Sequence, residues 1–180
     1  MRAARRLPRE TTFIGGHPIG GAERGGFGFA RADLFAGRPW IFTPESTDPS
    51  PALDRLFALA EGLGARPSTI DAERHDRLMA YLSHLPQLAA SALMQVVGST
   101  VAPDDLRLAG RGLIDTTRLA SSPPGVWRDI CSANADAIAQ ALDDLIARLA
   151  ELREDLARAD AIDALFEEAG RHRADLMKGS

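Results

Sequence analysis

The amino-acid sequence predicts a mainly helical fold, in which a small α/β part comes first and an all-helical part follows. Two short apolar runs bounded by glycine and proline, TFIGG and PWIFTP, have the aromatic and β-branched content of strands. From Asp71 onward, the apolar residues recur at helical spacing instead. We therefore expect residues 1–70 to form the end of an α/β domain and residues 71–180 to form a helical domain.

The segment between the second run and residue 70 completes the predicted α/β part. Ser50 is suited to cap a helix that has Pro51 at its first position, and the amphipathic stretch ALDRLFALAEGLGA follows. Gly62 and Gly64 are expected to end that helix, and RPSTI then predicts a third, short edge strand. Strand, helix and strand in this order are typical of an α/β sheet, although about three short strands are too few to form a domain alone.

The helical part contains three long segments. DAERHDRLMAYLSHLPQLAASALMQVVG predicts a helix that is kinked at Pro86 and buried among other helices beyond Leu85. NADAIAQALDDLIARLAELREDLARAD carries a heptad stripe of Ile138 and five leucines, which favours a bundle core or a subunit contact. A last helix is expected in AIDALFEEAGRHRADLMKGS, with His172 on its surface.

Composition excludes several classes of protein. A net charge of −4 argues against a general nucleic-acid binder, and we expect the arginines of MRAARRLPRE to be solvated. A single cysteine, Cys131, excludes an internal disulfide framework and a multi-cysteine metal site, and we expect it to be a small buried thiol. No run approaches the roughly 18 apolar residues of a membrane span, and the first residues lack the apolar core of a signal peptide. We therefore expect a cytoplasmic protein without nucleic-acid or membrane partners.

The stretch FIGGHPIGGAERGGFGF places His17 among seven glycines. It lacks both the GxxxxGK[ST] pattern of a nucleotide P-loop and the GxGxxG pattern of a dinucleotide site. A flexible linker is also disfavoured, because the stretch contains a stiff proline. The remaining interpretation is a tight loop at the carboxyl end of a strand. Ligands bind at this position in open α/β sheets. His17 there is suited to accept a proton near neutral pH, but it also fits a histidine that only hydrogen-bonds the loop.

Other polar residues give weaker signals. His75 and His84 are nine positions apart, on opposite faces of an ideal helix at roughly 100° per residue, which disfavours a metal site. Asp115 and Arg118 are neighbours if their segment is helical, either as a structural ion pair or as a guanidinium oriented to bind a carboxylate. Trp127 by itself fits a core residue.

Five ordered motifs together resemble the prephenate dehydrogenases and the closely similar arogenate and cyclohexadienyl dehydrogenases. They are GGHPIGGAERGG, LFAGRPWIFTP, HDRLMAYLSHLPQLAASAL, DTTRLASSPPGVWRDI and the asparagine that follows. The resemblance implies a nicotinamide-binding Rossmann domain, using NAD or NADP, followed by a helical domain that binds substrate and forms a homodimer. Residues 1–70 then correspond to the C-terminal remnant of the Rossmann domain, without its dinucleotide fingerprint.

The resemblance also implies roles for individual residues. His17 matches the catalytic histidine that accepts the proton of the substrate's ring hydroxyl, and Arg118 matches the arginine that binds a substrate carboxylate. Glu23 and Asp115 match acidic residues of an ionic network at the pocket entrance. Further substrate-binding or pocket-supporting positions are His75, Ser83, His84, Gln87 and Trp127, of which Trp127 is expected to reach a neighbouring subunit. Gly16 and Pro18, on either side of His17, are the expected cofactor contacts.

Two departures from the family pattern limit what the resemblance implies. Gln87 stands where many prephenate-using relatives have a second histidine, so the choice between prephenate and arogenate stays open. The family's serine near the nicotinamide lies upstream of Thr12. The chain is therefore expected to be either part of a longer dehydrogenase or a non-catalytic module, which senses prephenate or tyrosine or dimerises with a separate Rossmann chain.

Overall fold

The computed structural model describes residues 7–8, 11–20, 26–46 and 48–178, which fall into two compact units divided between Met79 and Ala80. The arginines at positions 2, 5, 6 and 9 lie outside the described residues. The domain boundary near residue 70 stays a prediction. Each unit is described by itself.

The first unit contains, within the described residues, a three-stranded sheet of β1 (Gly15–Pro18), β2 (Pro39–Thr43) and β3 (Arg66–Thr69) in that order. β1 runs antiparallel to β2, with His17 opposite Ile41, whereas β2 and β3 are parallel. The three predicted strands are confirmed. However, β1 begins at Gly15, so His17 lies within a strand and not in a loop after it.

The glycine pair before His17 has a packing role. A Cβ atom on Gly15 would overlap the Thr43 hydroxyl, and one on Gly16 would lie 3.0 Å from the Phe42 ring. Contacts this close are rare for real Cβ atoms, so a side chain at Gly15 or Gly16 would require Thr43 or Phe42 to shift. Both glycines also line a cavity beside His17, so this packing role does not exclude a ligand there.

Helix α1 (Pro51–Gly62) connects β2 to β3, as predicted. The Ser50 hydroxyl accepts a hydrogen bond from the Leu53 amide, and Gly64 follows the helix with a φ of 77°, a conformation that favours glycine. The core of this unit is formed by Phe42, Ala60 and Ala65, together with partly buried apolar neighbours. These are Ile14, Phe35, Trp40, Leu53, Leu56 and Phe57.

Helix α2 (Ala72–Met79) closes the first unit, and a π-helical turn, Ala80–His84, opens the second. Helix α3 (Leu85–Thr100) follows, with Pro86 in its first turn. The π-helical turn runs directly into α3, so Pro86 lies inside a continuous helical stretch, where it lacks an amide donor and crowds the preceding turn. The departure from regular helix geometry expected at Pro86 is seen as this π turn.

The second unit continues with helices separated by two short 3₁₀ turns, Asp105–Leu108 and Arg118–Ser121. The helices are α4 (Arg111–Thr116), α5 (Pro124–Ala133), α6 (Ala135–Asp155) and α7 (Ala159–Lys178). A mainly helical fold that follows a small α/β part is confirmed. None of the helices within the described ranges is long and apolar enough to cross a membrane.

The core of the second unit contains Ala80, Ile138 and Ala141. Cys131 is partly buried against it, in place of the full burial expected. The heptad stripe of α6 leaves this core after its first turns, since Leu149 is 53% and Leu156 is 66% exposed.

Apolar exposure on α3 corrects another expectation. Val96 is 63% exposed and Leu93 is 40% exposed, so α3 is not surrounded by helices of its own chain. His172 on α7 is exposed, as predicted.

Candidate active site

Two histidines that lie 58 positions apart in the chain meet within the first unit. His17 Nδ1 lies 2.9 Å from His75 Nε2, and the two rings are in edge contact with centroids 5.1 Å apart. The other ring nitrogen of His75, Nδ1, lies 2.9 Å from the Asp76 carboxylate. We call these three residues the histidine relay.

Strand and helix geometry place the two rings. Side chains alternate between the faces of a strand, so His17 shares a face of β1 with Gly15, opposite Ile41 and Thr43 of β2. The Asp71 carboxylate accepts a hydrogen bond from the Arg74 amide at 2.7 Å, which fixes the first turn of α2. His75 is the fourth residue of that helix.

The histidine relay borders a cavity of about 210 Å³. Its other walls include Phe13, Ile41 and Thr43. The His75 side chain is only 16% exposed, whereas that of Asp76 is 56% exposed. The relay thus runs from a half-buried imidazole beside a cavity to a carboxylate in contact with water.

Gln87 forms a different kind of polar centre, in the second unit. It is 5% exposed, and its amide nitrogen donates to the Leu119 carbonyl at 2.6 Å and to the Ser91 hydroxyl at 3.4 Å. Its carbonyl oxygen accepts from the Ser122 hydroxyl at 3.0 Å. One amide hydrogen and the carbonyl of Gln87 are therefore used to hold the segment 118–122, which includes Arg118, whereas the second amide hydrogen is directed to Ser91 in the same helix. We call this set the glutamine lock.

His84 is also buried in the second unit. Its Nδ1 lies 3.4 Å from the Asn134 side-chain amide, and its ring is in edge contact with Trp127 at a centroid distance of 6.1 Å. Trp127 is half-buried and borders a cavity of about 360 Å³, which also contacts Gln87 and Cys131. Trp127 is therefore not the plain core residue that its sequence context alone suggests.

The remaining predicted site residues lie at the surface or outside the described residues. Ser83, Asp115 and Arg118 are exposed, and no ion pair joins Asp115 to Arg118, both of which the structure describes. Asp115 lies in α4, whereas Arg118 begins the next 3₁₀ turn, so the helical spacing assumed for the pair does not hold. Glu23 lies outside the described residues.

The expected cofactor contacts Gly16 and Pro18 lie in β1. A side chain at Gly16 would crowd the Phe42 ring, and Gly16 also lines the cavity beside His17.

No role was predicted from the sequence for Asp76 or Ser122, and Asn134 was included only as a family motif without a role. Asp76 is adjacent to His75 in the sequence, which is compatible with a contact between them. Adjacency alone does not show that the two side chains meet. Ser122 and Asn134 are contacts over 35 and 50 positions, which no local pattern encodes. No group of three or more metal-ligating side chains is found in the part of the chain that the structure describes.

Comparison with known proteins identifies the family. Residues 71–169 match the family model described as the prephenate dehydrogenase dimerization domain, and residues 1–69 match the model described as the prephenate dehydrogenase nucleotide-binding domain. The chain belongs to the prephenate dehydrogenase family.

Similar proteins support the same family membership. The prephenate dehydrogenase of Bacillus subtilis is 32% identical over 157 residues, which cover 86% of this chain and 42% of that protein. The crystal structure of the prephenate dehydrogenase from A. aeolicus with hydroxyphenyl propionate and NAD+ has a TM-score of 0.81 at 30% identity, over 93% of this chain and 59% of that one. The Synechocystis arogenate dehydrogenase also has a TM-score of 0.81, at 28% identity, over 93% of this chain and 62% of that one.

The chain spans about half the length of the curated relatives that it matches, from 42% to 50%. The fold predicted for this prephenate dehydrogenase family chain, the end of a Rossmann-type domain followed by a helical dimerisation domain, agrees with these matches.

Proposed function

We propose that this chain is the substrate-binding and dimerising part of a prephenate or arogenate dehydrogenase of tyrosine biosynthesis. The observation that carries the proposal is the position of His17 at a cavity, hydrogen-bonded to a second histidine, in a chain that matches both domain models of the family. An imidazole in this position is suited to general base catalysis near neutral pH.

The proposed reaction is an oxidative decarboxylation. His17 accepts the proton of the ring hydroxyl, and the carbon that carries this hydroxyl gives up a hydride. NAD or NADP, when bound, takes that hydride. The bond to the ring carboxylate then breaks, its electron pair completes the aromatic ring, and carbon dioxide leaves.

The proposed substrate contacts belong to the second unit. Arg118 is assigned to a substrate carboxylate, because a guanidinium binds carboxylates through two parallel hydrogen bonds. His84, Ser83 and Trp127 are assigned to the pocket. In a homodimer Trp127 is proposed to serve the neighbouring subunit. Support for the homodimer comes from the match to a dimerization domain and from the exposed apolar residues of α3 and α6.

Gln87 receives a modified role. Its hydrogen bonds to Leu119 and Ser122 favour an amide that holds the Arg118 segment over one that contacts the substrate. Gln87 would then not discriminate between the keto acid side chain of prephenate and the amino acid side chain of arogenate. Glu23 and Asp115 keep their proposed place in an ionic network at the pocket entrance.

Cofactor binding is proposed to need a complete nucleotide-binding domain. The chain contains no GxGxxG motif, the pattern that holds the pyrophosphate in such domains. We therefore expect no turnover from this chain alone, and turnover from a protein that joins it to a complete nucleotide-binding domain. The test is an absorbance assay of NADH and NADPH formation by both proteins, with prephenate and with arogenate. If the joined protein, folded and able to bind NAD, oxidises neither substrate, the proposal fails.

A second candidate is a non-catalytic module that binds prephenate or tyrosine. It rests on the same cavity beside His17 and the same match to a dimerization domain, and it differs in requiring no bound nucleotide. Titration calorimetry of this chain with prephenate and with tyrosine separates the two proposals when combined with the assay. Binding without turnover, even after a nucleotide-binding chain is added, favours the module.

A further inference from the structure

The order of hydrogen bonds in the histidine relay carries information about where its protons are. His75 uses both ring nitrogens, Nδ1 toward Asp76 and Nε2 toward His17, each at 2.9 Å. A neutral imidazole has one nitrogen that donates and one that accepts. Once the role of one His75 nitrogen is known, the role of the other follows.

Asp76 decides the first role. An ionised carboxylate can only accept hydrogen bonds, so the hydrogen lies on His75 Nδ1, which donates to Asp76. His75 Nε2 therefore has a lone pair and accepts. Its partner at 2.9 Å is His17 Nδ1, which must donate. In neutral His17 the hydrogen is then on Nδ1 and the lone pair is on Nε2.

We propose that Asp76 and His75 are positioning residues that set the tautomer of His17, so that its Nε2 is the basic nitrogen. This inference rests on the proposed function only for its catalytic consequence. The tautomer itself is a property of the chain without any substrate. An isolated histidine side chain favours the opposite tautomer, with the hydrogen on Nε2, so the relay reverses an intrinsic preference.

The relay also prepares His17 for the proton that it receives. When Nε2 takes a proton, His17 Nδ1–H continues to donate to the His75 lone pair, so no hydrogen bond in the relay has to break. A base whose second nitrogen is held by a third group is the arrangement that orients histidines in other proton-transfer sites. The edge contact of the two rings, at an interplanar angle of 70°, limits rotation of His17 in addition.

The alternative is that His75 and Asp76 only pack and solvate this corner of the first unit. Both interpretations predict that substitutions cost some stability. Only the relay predicts that removing the Asp76 carboxylate changes the position of a proton on the His17 ring.

The test is a long-range ¹H–¹⁵N spectrum of the chain, which reports the protonation of each ring nitrogen. The sequence has four histidines, so His17 is assigned by comparison with single histidine variants. The spectrum is recorded about two pH units above the ordinary histidine pKa of ~6.5, where imidazoles are neutral. Wild type is expected to show a protonated Nδ1 and an unprotonated Nε2 for His17.

Two variants break the relay and two serve as controls. Asp76→Ala, at an exposed position, and His75→Phe are each expected to shift His17 toward the tautomer with the hydrogen on Nε2. Asp76→Glu, which keeps an acceptor, is expected to restore the wild-type pattern at least in part. Glu73→Ala removes another exposed carboxylate from α2 and is expected to leave His17 unchanged. A His17 tautomer that is the same in wild type, Asp76→Ala and His75→Phe overturns the proposal.

The catalytic consequence is tested in the joined protein with a complete nucleotide-binding domain. Asp76→Ala is expected to lower kcat by about 10- to 100-fold, the size of effect seen when a ligand histidine loses its outer hydrogen-bond partner, with little change in KM. A shifted tautomer with unchanged kcat overturns the catalytic part. If wild type has no activity but the tautomer shifts as expected, the positioning role stands and the proposed function is what fails.

Discussion

The histidine relay and the glutamine lock are two polar centres with opposite designs. The relay ends at an exposed carboxylate and leaves one imidazole nitrogen basic beside a cavity. The lock uses both amide hydrogens and the carbonyl of Gln87 for contacts within the protein. A polar residue in a family motif can therefore serve either catalysis or packing. Its hydrogen bonds indicate which of the two roles it has.

The largest effect is expected from the centre that carries a basic nitrogen. His17→Asn in the joined protein is expected to lower kcat by about 10²- to 10⁴-fold, the usual contribution of general base catalysis. Asparagine keeps a polar side chain of similar size but cannot take the proton. The measurement is the steady-state rate of reduced cofactor formation at saturating substrate.

His172→Asn is the matched control for His17→Asn, because His172 is a 76% exposed histidine on α7. It is expected to leave kcat at the wild-type value. An unchanged kcat in His17→Asn would remove His17 from the mechanism, and would make the relay structural like the glutamine lock.

The next effect concerns the segment that the glutamine lock holds. Arg118→Ala is expected to raise KM by about 10- to 100-fold with a smaller change in kcat, since hydrogen bonds to charged groups contribute about 1.5–3 kcal/mol. The measurement is KM for prephenate and for arogenate in the joined protein. Arg111→Ala, an exposed arginine of α4, is the control and should leave KM unchanged. If KM in Arg118→Ala equals that of wild type, Arg118 does not bind the carboxylate.

The two centres also differ in how far the sequence could predict them. Local signals were sufficient for the elements that carry them: Pro51 and Gly64 mark the ends of α1, and the apolar runs mark the strands. They were sufficient for His17 as a candidate base, and the resemblance added Gln87 and His75.

The partners of these residues were not predictable, because they depend on contacts between distant segments. Ser122 reaches Gln87 over 35 positions, and His17 reaches His75 over 58. The close packing of the glycines before His17 was not predictable for the same reason. A side chain there would crowd Thr43 and Phe42 of a neighbouring strand, and the register of that strand is a tertiary feature.

The glutamine lock is tested by stability and not by chemistry. Gln87→Ala leaves the partly buried Leu119 carbonyl and Ser122 hydroxyl without their partner, which is expected to cost about 1–3 kcal/mol of unfolding free energy. Urea denaturation of the chain at a fixed protein concentration measures this cost. Gln95→Ala, at an exposed position of the same helix, is the control and should be nearly neutral. Equal stability of the two variants would show that Gln87 does not hold the segment.

The smallest effect on stability is expected from an exposed polar pair in the second unit. Comparing this pair with the glutamine lock shows how much burial strengthens a hydrogen bond. The Tyr81 hydroxyl donates to the Asp144 carboxylate, as does the Gln140 amide at 3.0 Å, and both hydrogen bonds lower the pKa of Asp144 below its ordinary value. A carboxyl group whose pKa is lower in the folded state adds stability above its unfolded pKa and loses it as the pH falls through the folded pKa.

Tyr81→Phe is therefore expected to raise the pKa of Asp144 in the folded protein. The substitution is expected to destabilise the protein slightly at neutral pH, but not at a pH below the pKa of Asp144 in the folded state. Carboxyl ¹³C titration of Asp144 and urea denaturation at the two pH values measure these changes. Gln140→Ala removes the smaller contribution and should shift the pKa less, since the hydrogen bond from Tyr81 is the larger cause. A Tyr81→Phe variant with an unaltered Asp144 titration would show that water replaces this exposed hydrogen bond, as it cannot in the buried glutamine lock.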